Sequence, residues 1–247
     1  MTRPSIRPTA AMVLAAGFGT RMRPLTAHLP KPLVTLAGQT LLDHALDRLA
    51  AAGIGRVAIN AHWQAGALAR HVRARAGRLP ELTLLEEPDL LDTGGGVLAA
   101  LPLLGPAPFY VVNGDAFWVD GPIPALARLA AAWSDDVDAV LLVHRTFQIS
   151  GEVGAGDFFV DPWGGVRRRR EREVAPYLYA GVQLIAPALL DGMAAGAFSM
   201  NRCWDRALAA GRLRAVVHDG LWFHLSTPPD LLDAEAVLAA GITGQTT

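Results

Sequence analysis

Read from its amino terminus, the chain alternates short apolar runs with amphipathic ones, and that alternation restricts the fold more than any other feature. Residues 11–15 are wholly apolar and end in glycines, the pattern of a strand buried on both faces. After a long loop, Thr40 and Asp43 make a capping pair for a helix whose leucines recur at helical spacing until Gly53 stops it. Strands over 57–60, 82–86, 109–113 and 139–143 then alternate with helices over 64–75, 95–101 and 123–133. Such an order over the first 145 residues predicts an α/β fold, a mostly parallel sheet covered by helices on both faces. Ligands of these sheets bind beyond the carboxyl ends of the strands.

Past His144 the alternation fails. Glycine, proline and aromatic residues are dense over 151–179, and the runs 158–160 and 166–170, either side of Pro162 and the Gly164-Gly165 pair, predict a small β-hairpin insertion. Such an insertion is expected to close over the open end of the sheet. A strand over 180–185, helices near 187–192 and 201–210, a strand around Val216 and a last helix from Pro229 complete the chain. At 247 residues one α/β domain, 1–247, accommodates all of it.

With 22 basic against 23 acidic residues, the chain has no global attraction to nucleic acid. Two arginines precede the first apolar run, as in a signal peptide, but the run is short and passes straight into glycines and charge, so it reads as the first strand. No stretch reaches the roughly 20 apolar residues of a membrane helix, so a cytoplasmic protein without a membrane partner is expected. Cys203, the single cysteine, lies in a helical stretch and is expected to be a small buried residue. The sequence leaves the oligomeric state open.

The most informative stretch is LAAGFGTRMRPLT, residues 14–26, which leaves the first strand. Its glycines let successive N–H groups face one concavity that suits phosphate oxygens, and Arg21 and Arg23 add positive charge beside it. No Gly-Lys-Ser/Thr ends it, so it is not a Walker loop; Met22 stands where a dinucleotide fingerprint has its third glycine. A few residues on, Lys31 stands between Pro30 and Pro32, which stiffen its support and make it a candidate phosphate anchor.

These blocks, with PKPLVTLAGQTLLDHAL, LDTGGG and VVNGDAF in the same order, resemble the sugar-phosphate nucleotidyltransferases, or NDP-sugar pyrophosphorylases. Within that family the chain resembles in particular the N-acetylmuramate-1-phosphate uridylyltransferases, which carry a similar ETGGG-type loop and a similarly compact chain. The resemblance implies a Rossmann-like, GT-A-like sheet in which residues 1–145 form a nucleotide-binding half and 146–247 a sugar-phosphate-binding half. It further implies Mg²⁺, with Mn²⁺ a workable substitute, and as substrates an NTP, in this subfamily UTP, and a sugar 1-phosphate. Mannose-1-phosphate guanylyltransferases and glucose-1-phosphate enzymes are the alternatives inside the family. A nucleotide-sensing protein that has lost catalysis is the alternative outside it, against which Arg21, Lys31 and Asp115 stand together.

Carried over residue by residue, the resemblance puts the backbone of Ala15, Ala16 and Gly17 near base and ribose, with Gly19, Thr20 and Arg21 around the phosphates that leave. Lys31 falls near the α-phosphate, Asp115 on the metal, and Asn113 and Gly181 near the sugar. LLEEPDLLDTGGG is expected to give the base pocket, Glu86 or Glu87 reading the base and Gly94 and Gly95 admitting it closely. Where many relatives complete the metal site with an aspartate or asparagine in a motif such as Val-Asp-Val-Gly-Thr, this chain reads FHLST. That puts His224 at the metal site; since imidazole suits Mg²⁺ poorly and Mn²⁺ or Zn²⁺ well, His224 either changes the preferred metal or takes an outer-sphere role, and a histidine capping the loop before the Pro228-Pro229 helix start is the alternative. The Glu-Glu-Lys-Pro motif of many relatives is missing, so one of Arg167 to Arg170, or Arg202, is a candidate for the sugar phosphate or a lactyl carboxylate; a solvated hairpin edge is the alternative.

Overall fold

A computed structural model describes residues 6–75, 77, 81–149 and 154–243. The first apolar run is β1 (Ala10–Leu14), whose side chains alternate between two clusters, Ala11 and Val13 in one and Ala10 and Met12 in the other. This double burial explains why no polar residue interrupts the strand. Two single 3₁₀ turns, Thr20–Met22 and Lys31–Leu33, lead to a short ribbon of β2 (Thr35–Leu36) and β3 (Gln39–Thr40). Helix α1 (Leu41–Ala51) starts where the sequence puts its cap, the Thr40 hydroxyl accepting from the Asp43 amide at 3.1 Å.

Next come β4 (Arg56–Ala61), α2 (Ala65–Ala74), β5 (Glu81–Glu86), α3 (Asp92–Leu104), β6 (Phe109–Asn113), β7 (Phe117–Val119), α4 (Ala125–Ala131) and β8 (Ala139–Arg145). The second half adds β9 (Phe158–Val160), β10 (Val166–Arg168), β11 (Tyr177–Ile185), α5 (Asn201–Ala209), β12 (Leu213–Val217), β13 (Leu221–Phe223) and α6 (Pro228–Thr243). In the main sheet β5, β4, β1 and β6 pair in parallel, β11 runs antiparallel between β6 and β8, and β12 pairs in parallel with β8. Both halves of the chain therefore contribute to one mostly parallel sheet. Leu42, Leu46, Leu68 and Leu126 cover one face from α1, α2 and α4, while Val97, Ala100 and Trp204 cover the other from α3 and α5.

The short strands β2, β3, β7 and β13 have no counterpart in the sequence pattern, and three further elements depart from it. The predicted helix over 123–133 begins only after Pro124, whose ring biases the preceding residue away from helix. Residues 187–192 give a single 3₁₀ turn, Pro187–Leu190. The hairpin β9–β10 does form, but it does not close over the sheet's open end. Phe158 pairs with Tyr177 and is buried against Trp204; Gly164 and Gly165 bond to β12, and Arg168 bonds to Asp205 and Asn201 on α5. Cys203 is buried, as expected, and burial raises its thiol pKa.

Candidate active site

The glycine loop, the Pro30–Pro32 turn that follows it and the distant Asn113–Asp115 turn meet at the carboxyl ends of β1 and β6. The carbonyl of Leu14, last residue of β1, accepts from the amide of Gly114 at 2.8 Å. A Cβ at Gly114 would stand 2.9 Å from that carbonyl and 3.1 Å from the Pro32 ring, so only glycine lets the Asn113–Asp115 turn sit this close to both neighbours. Gly19 adopts φ +60, its carbonyl accepts from the Thr26 hydroxyl at 2.7 Å, and a side chain there would run into the Cβ of Lys31 at 3.0 Å. The loop is thus folded onto the stem of the lysine.

The lysine reaches the aspartate. Pro30 is extended and Pro32 buried in the 3₁₀ turn, and from this support Lys31 Nζ donates to Asp115 Oδ2 at 2.6 Å. The lysine side chain is only 12 % exposed, whereas that of Asp115 is 39 % exposed and opens on a cleft of about 330 Å³. The glycine loop, Arg21, Asn113 and Ser226 contribute to its walls. Ala15 and Ala16 are buried at its floor, and Thr20 and Arg21 are exposed at its rim. The Ala15 amide donates to Asn60 Oδ1 at 2.7 Å, while the amides of Ala16 and Gly17 have no partner among the described residues. Unpaired amides in an open cleft are donors available to a ligand's acceptor atoms.

Gly181, at φ +80, lies in the bulge of β11 between Tyr179 and Gln183. A Cβ there would meet Ala116 at 2.9 Å and Asn113 at 3.4 Å, so the two residues expected near the sugar are neighbours. Trp222 covers this bulge, its indole donating to the Ala180 carbonyl at 2.9 Å.

The segment expected at the base pocket reaches the cleft through Leu90, Asp92 and Thr93, whereas Glu86, Glu87, Gly94 and Gly95 are not among the lining residues. Glu86 ends β5 exposed. Glu87 is 7 % exposed, and both its carboxylate oxygens are engaged, one by Asn60 Nδ2 at 2.7 Å and one by the Leu91 amide at 3.1 Å. Gly94 and Gly95 face away from the cleft, where added Cβ atoms would overlap the Phe198 ring and the Gly196 carbonyl; their amides both donate to the Phe198 carbonyl. These glycines let α3 pack on the 196–198 segment, and Leu90, Asp92 and Thr93 are the residues of this stretch that reach the cleft. Of the arginine candidates, Arg167 pairs with Glu173, Arg168 with Asp205 and Asn201 on α5, and Arg202 lies over the Phe198 ring.

Residues 10–148 match the family model described as nucleotidyl transferase. The N-acetylmuramate alpha-1-phosphate uridylyltransferase of Caulobacter vibrioides is 42% identical over 236 residues, covering 94% of this chain and 98% of its own. The chain belongs to the nucleotidyl transferase family. The protein of the same name from Neisseria meningitidis is 33% identical over 93% of this chain and 98% of its own. Among solved structures, the inositol-1-phosphate CTP transferase of T. maritima superposes with a TM-score of 0.75 over 94% of this chain and 96% of that one; at 19% identity it shows the shared Rossmann-like fold.

In this nucleotidyl transferase His224 does not line the cleft of Lys31 and Asp115 but a second one, with His144, Trp222 and Asp230, close enough to feel the charges of Arg21, Lys31 and Asp115. Burial pushes its imidazole pKa down, the positive charges of Arg21 and Lys31 push the same way, and Asp230 and Asp115 oppose them. Its ring packs beside Trp222 at 5.8 Å. Among the described residues no three His, Cys, Asp or Glu side chains converge as a group that could hold a metal ion. No helix of the described residues is long and apolar enough to cross a membrane. Asn60, Asp92, Thr93 and Ser226 are cleft residues not singled out from the sequence, although Asp92 and Thr93 lie in the LLEEPDLLDTGGG segment expected at the base pocket and Ser226 in FHLST. Asn60 carried only the signal of a polar residue at the end of a buried strand.

Proposed function

We propose that this nucleotidyl transferase moves the uridylyl group of UTP to N-acetylmuramate 1-phosphate, giving UDP-N-acetylmuramate and pyrophosphate. The substrates come from the names of the two relatives that match nearly the full chain. The observation that carries the chemistry is the Lys31–Asp115 pair, held where the glycine loop and the aspartate turn meet.

A phosphate oxygen of the sugar 1-phosphate attacks the α-phosphorus of UTP, the bond from that phosphorus to the oxygen bridging to the β-phosphate breaks, and pyrophosphate leaves. The attacking oxygen is already anionic near neutral pH, so the chain supplies no nucleophile and no base. Its work is alignment and charge neutralisation. The free amides of Ala16 and Gly17 face base and ribose; Gly19, Thr20 and Arg21 hold the β- and γ-phosphates; Lys31 holds the α-phosphate; Asn113 and the backbone at Gly181 bind the sugar. In the nucleotide-free protein Lys31 neutralises Asp115, and a phosphate arriving at Lys31 releases the carboxylate. Asp115 would then offer a hard oxygen ligand to Mg²⁺ or Mn²⁺, ions that one or two protein carboxylates suffice to hold. Such an ion would supply further charge neutralisation on the phosphates. His224 would not hold the ion and would instead meet a phosphate oxygen.

The test is a pyrophosphate-release assay that crosses UTP, GTP, CTP and dTTP with N-acetylmuramate, mannose and glucose 1-phosphates. UTP with N-acetylmuramate 1-phosphate is expected to give the highest kcat/KM. A clear preference for GTP with mannose 1-phosphate overturns the proposal.

A further inference from the structure

We propose that Asn60 is a positioning residue that, through Glu87, ties the start of the glycine loop to the segment entering α3 and so fixes the width of the base pocket. The inference rests on the reading of this cleft as a nucleotide site. Asn60 is 3 % exposed at the end of β4, and both ends of its amide are committed. Its oxygen accepts from the Ala15 amide at 2.7 Å, and its nitrogen donates to Glu87 Oε1 at 2.7 Å. Glu87 Oε2 accepts from the Leu91 amide at 3.1 Å. Three hydrogen bonds in series therefore run from the loop after β1, past β4, to the residue before α3.

Two further bonds stiffen the same junction: the Glu87 amide donates to the Ala61 carbonyl at 2.8 Å, and His62 Nδ1 lies 2.9 Å from the Glu87 carbonyl. The third glycine of the triplet also belongs to it. A Cβ at Gly96 would stand 2.8 Å from Asn60 Nδ2 and 2.9 Å from Glu87 Oε1, so any larger residue there would displace the bridge. The bridge takes the Ala15 amide out of ligand binding and leaves those of Ala16 and Gly17 open. The two walls between which a base would lie, Ala15 to Gly17 and Leu90 to Thr93, are thereby held at a fixed separation.

The series can be reversed in polarity without changing its shape. Asn60→Asp alone puts two carboxylates face to face, and Glu87→Gln alone puts an amide donor against a donor at one of its two ends. Together they restore all three bonds, the new aspartate accepting from Ala15 and from the new glutamine, whose oxygen accepts from Leu91. The experiment measures KM for UTP, kcat and, without nucleotide, hydrogen exchange of the amides of residues 14–20 in all four proteins. Each single variant is expected to raise KM about tenfold, the usual consequence of one unmade buried hydrogen bond, with kcat less affected and loop exchange faster. The double variant returns both readouts to within about threefold of wild type, well inside the effect of one such bond.

Singles that leave KM and exchange unchanged, or a double no better than the worse single, overturn the proposal. So does a changed base preference in Glu87→Gln that Asn60→Asp fails to restore, which marks direct base reading by Glu87. Glu87→Gln is isosteric and carries the test alone if Asn60→Asp does not accumulate. Because exchange is read without nucleotide, a wild-type protein that turns over a different nucleotide changes the proposed substrate and still leaves the bridge to stand or fall on the exchange rates.

Discussion

Replacing Lys31 by methionine removes one charge and keeps most of a stem that packs against Gly19. The pair it breaks, Nζ to Asp115 Oδ2 at 2.6 Å, joins a largely buried ammonium to a carboxylate that is 39 % exposed. Solvent screening at that carboxylate limits the pair's worth to stability to about 1 kcal/mol or less. In a chain of this length such a loss lowers the unfolding midpoint by about 2–4 °C. Catalysis is affected far more. Deleting a preorganised group that stabilises developing charge commonly costs on the order of 10²–10³ in rate, or about 3–4 kcal/mol. Lys31→Met is therefore expected to melt within a few degrees of wild type while its kcat/KM, followed by pyrophosphate release from UTP and N-acetylmuramate 1-phosphate, falls at least about 100-fold. A kcat/KM within about threefold of wild type removes Lys31 from the reaction, because no group contacting the reacting phosphate is so dispensable. A collapse in melting temperature that matches the loss of activity makes the lysine structural.

Asp115→Asn should retain triphosphate affinity through the loop amides yet lose metal-dependent turnover; undiminished activity across a Mg²⁺ titration takes Asp115 out of the site. His224→Asp is expected to keep part of the activity and His224→Leu to lose it, and direct metal–imidazole coordination in a Mn²⁺ product complex contradicts the outer-sphere role. Gly94→Ala sets a methyl group against the Phe198 ring and 2.9 Å from its carbonyl, an overpacking that costs about 1–3 kcal/mol; the midpoint should drop while KM for UTP stays put, and a KM effect without destabilisation returns Gly94 to the base pocket. The fold should also weaken in mild acid. Burial and the neighbouring His218 and Arg145 lower the pKa of His144 to about 4, and burial lowers those of His218 and His224 as well. Above about pH 6.5 these imidazoles are neutral in both states; below it the unfolded chain takes up protons that the folded one refuses, and stability declines until the folded groups titrate in turn. His144 alone accounts for on the order of 3 kcal/mol of that decline, and a melting temperature that stays flat from pH 7 to 4.5 contradicts it.

How much was legible beforehand follows from which residues act locally. β1, α1 with its Thr40 cap, and β6 are fixed by short-range apolar pattern and capping chemistry, and they form as read. The glycine loop, Lys31 and Asp115 were legible because stiff or sharply turning backbone announces itself through Gly and Pro, although only the fold brings the last two into contact. The roles of Glu87, Gly94 and Gly95 were not legible. Each is decided by partners distant in sequence, Asn60 for the carboxylate and Phe198 and Gly196 for the glycines, and nothing in LLEEPDLLDTGGG indicates which side of α3 faces the cleft. The hairpin was found and misplaced for the same reason. Its turn is local chemistry, but its seat on β12 and α5 depends on long-range bonds from Gly164, Gly165 and Arg168.

The most direct test of the central claim, that this cleft joins a uridylyl group to a sugar phosphate, follows the phosphorus atoms themselves. The protein is incubated with Mg²⁺, N-acetylmuramate 1-phosphate and UTP labelled at either the α- or the γ-phosphate, and the products are separated. Label from the α-position should appear in UDP-N-acetylmuramate and label from the γ-position in pyrophosphate, in equal amounts, with both lost in Lys31→Met. Label that ends in free UMP, or that enters a sugar nucleotide only when UTP is replaced by another nucleoside triphosphate, contradicts the account.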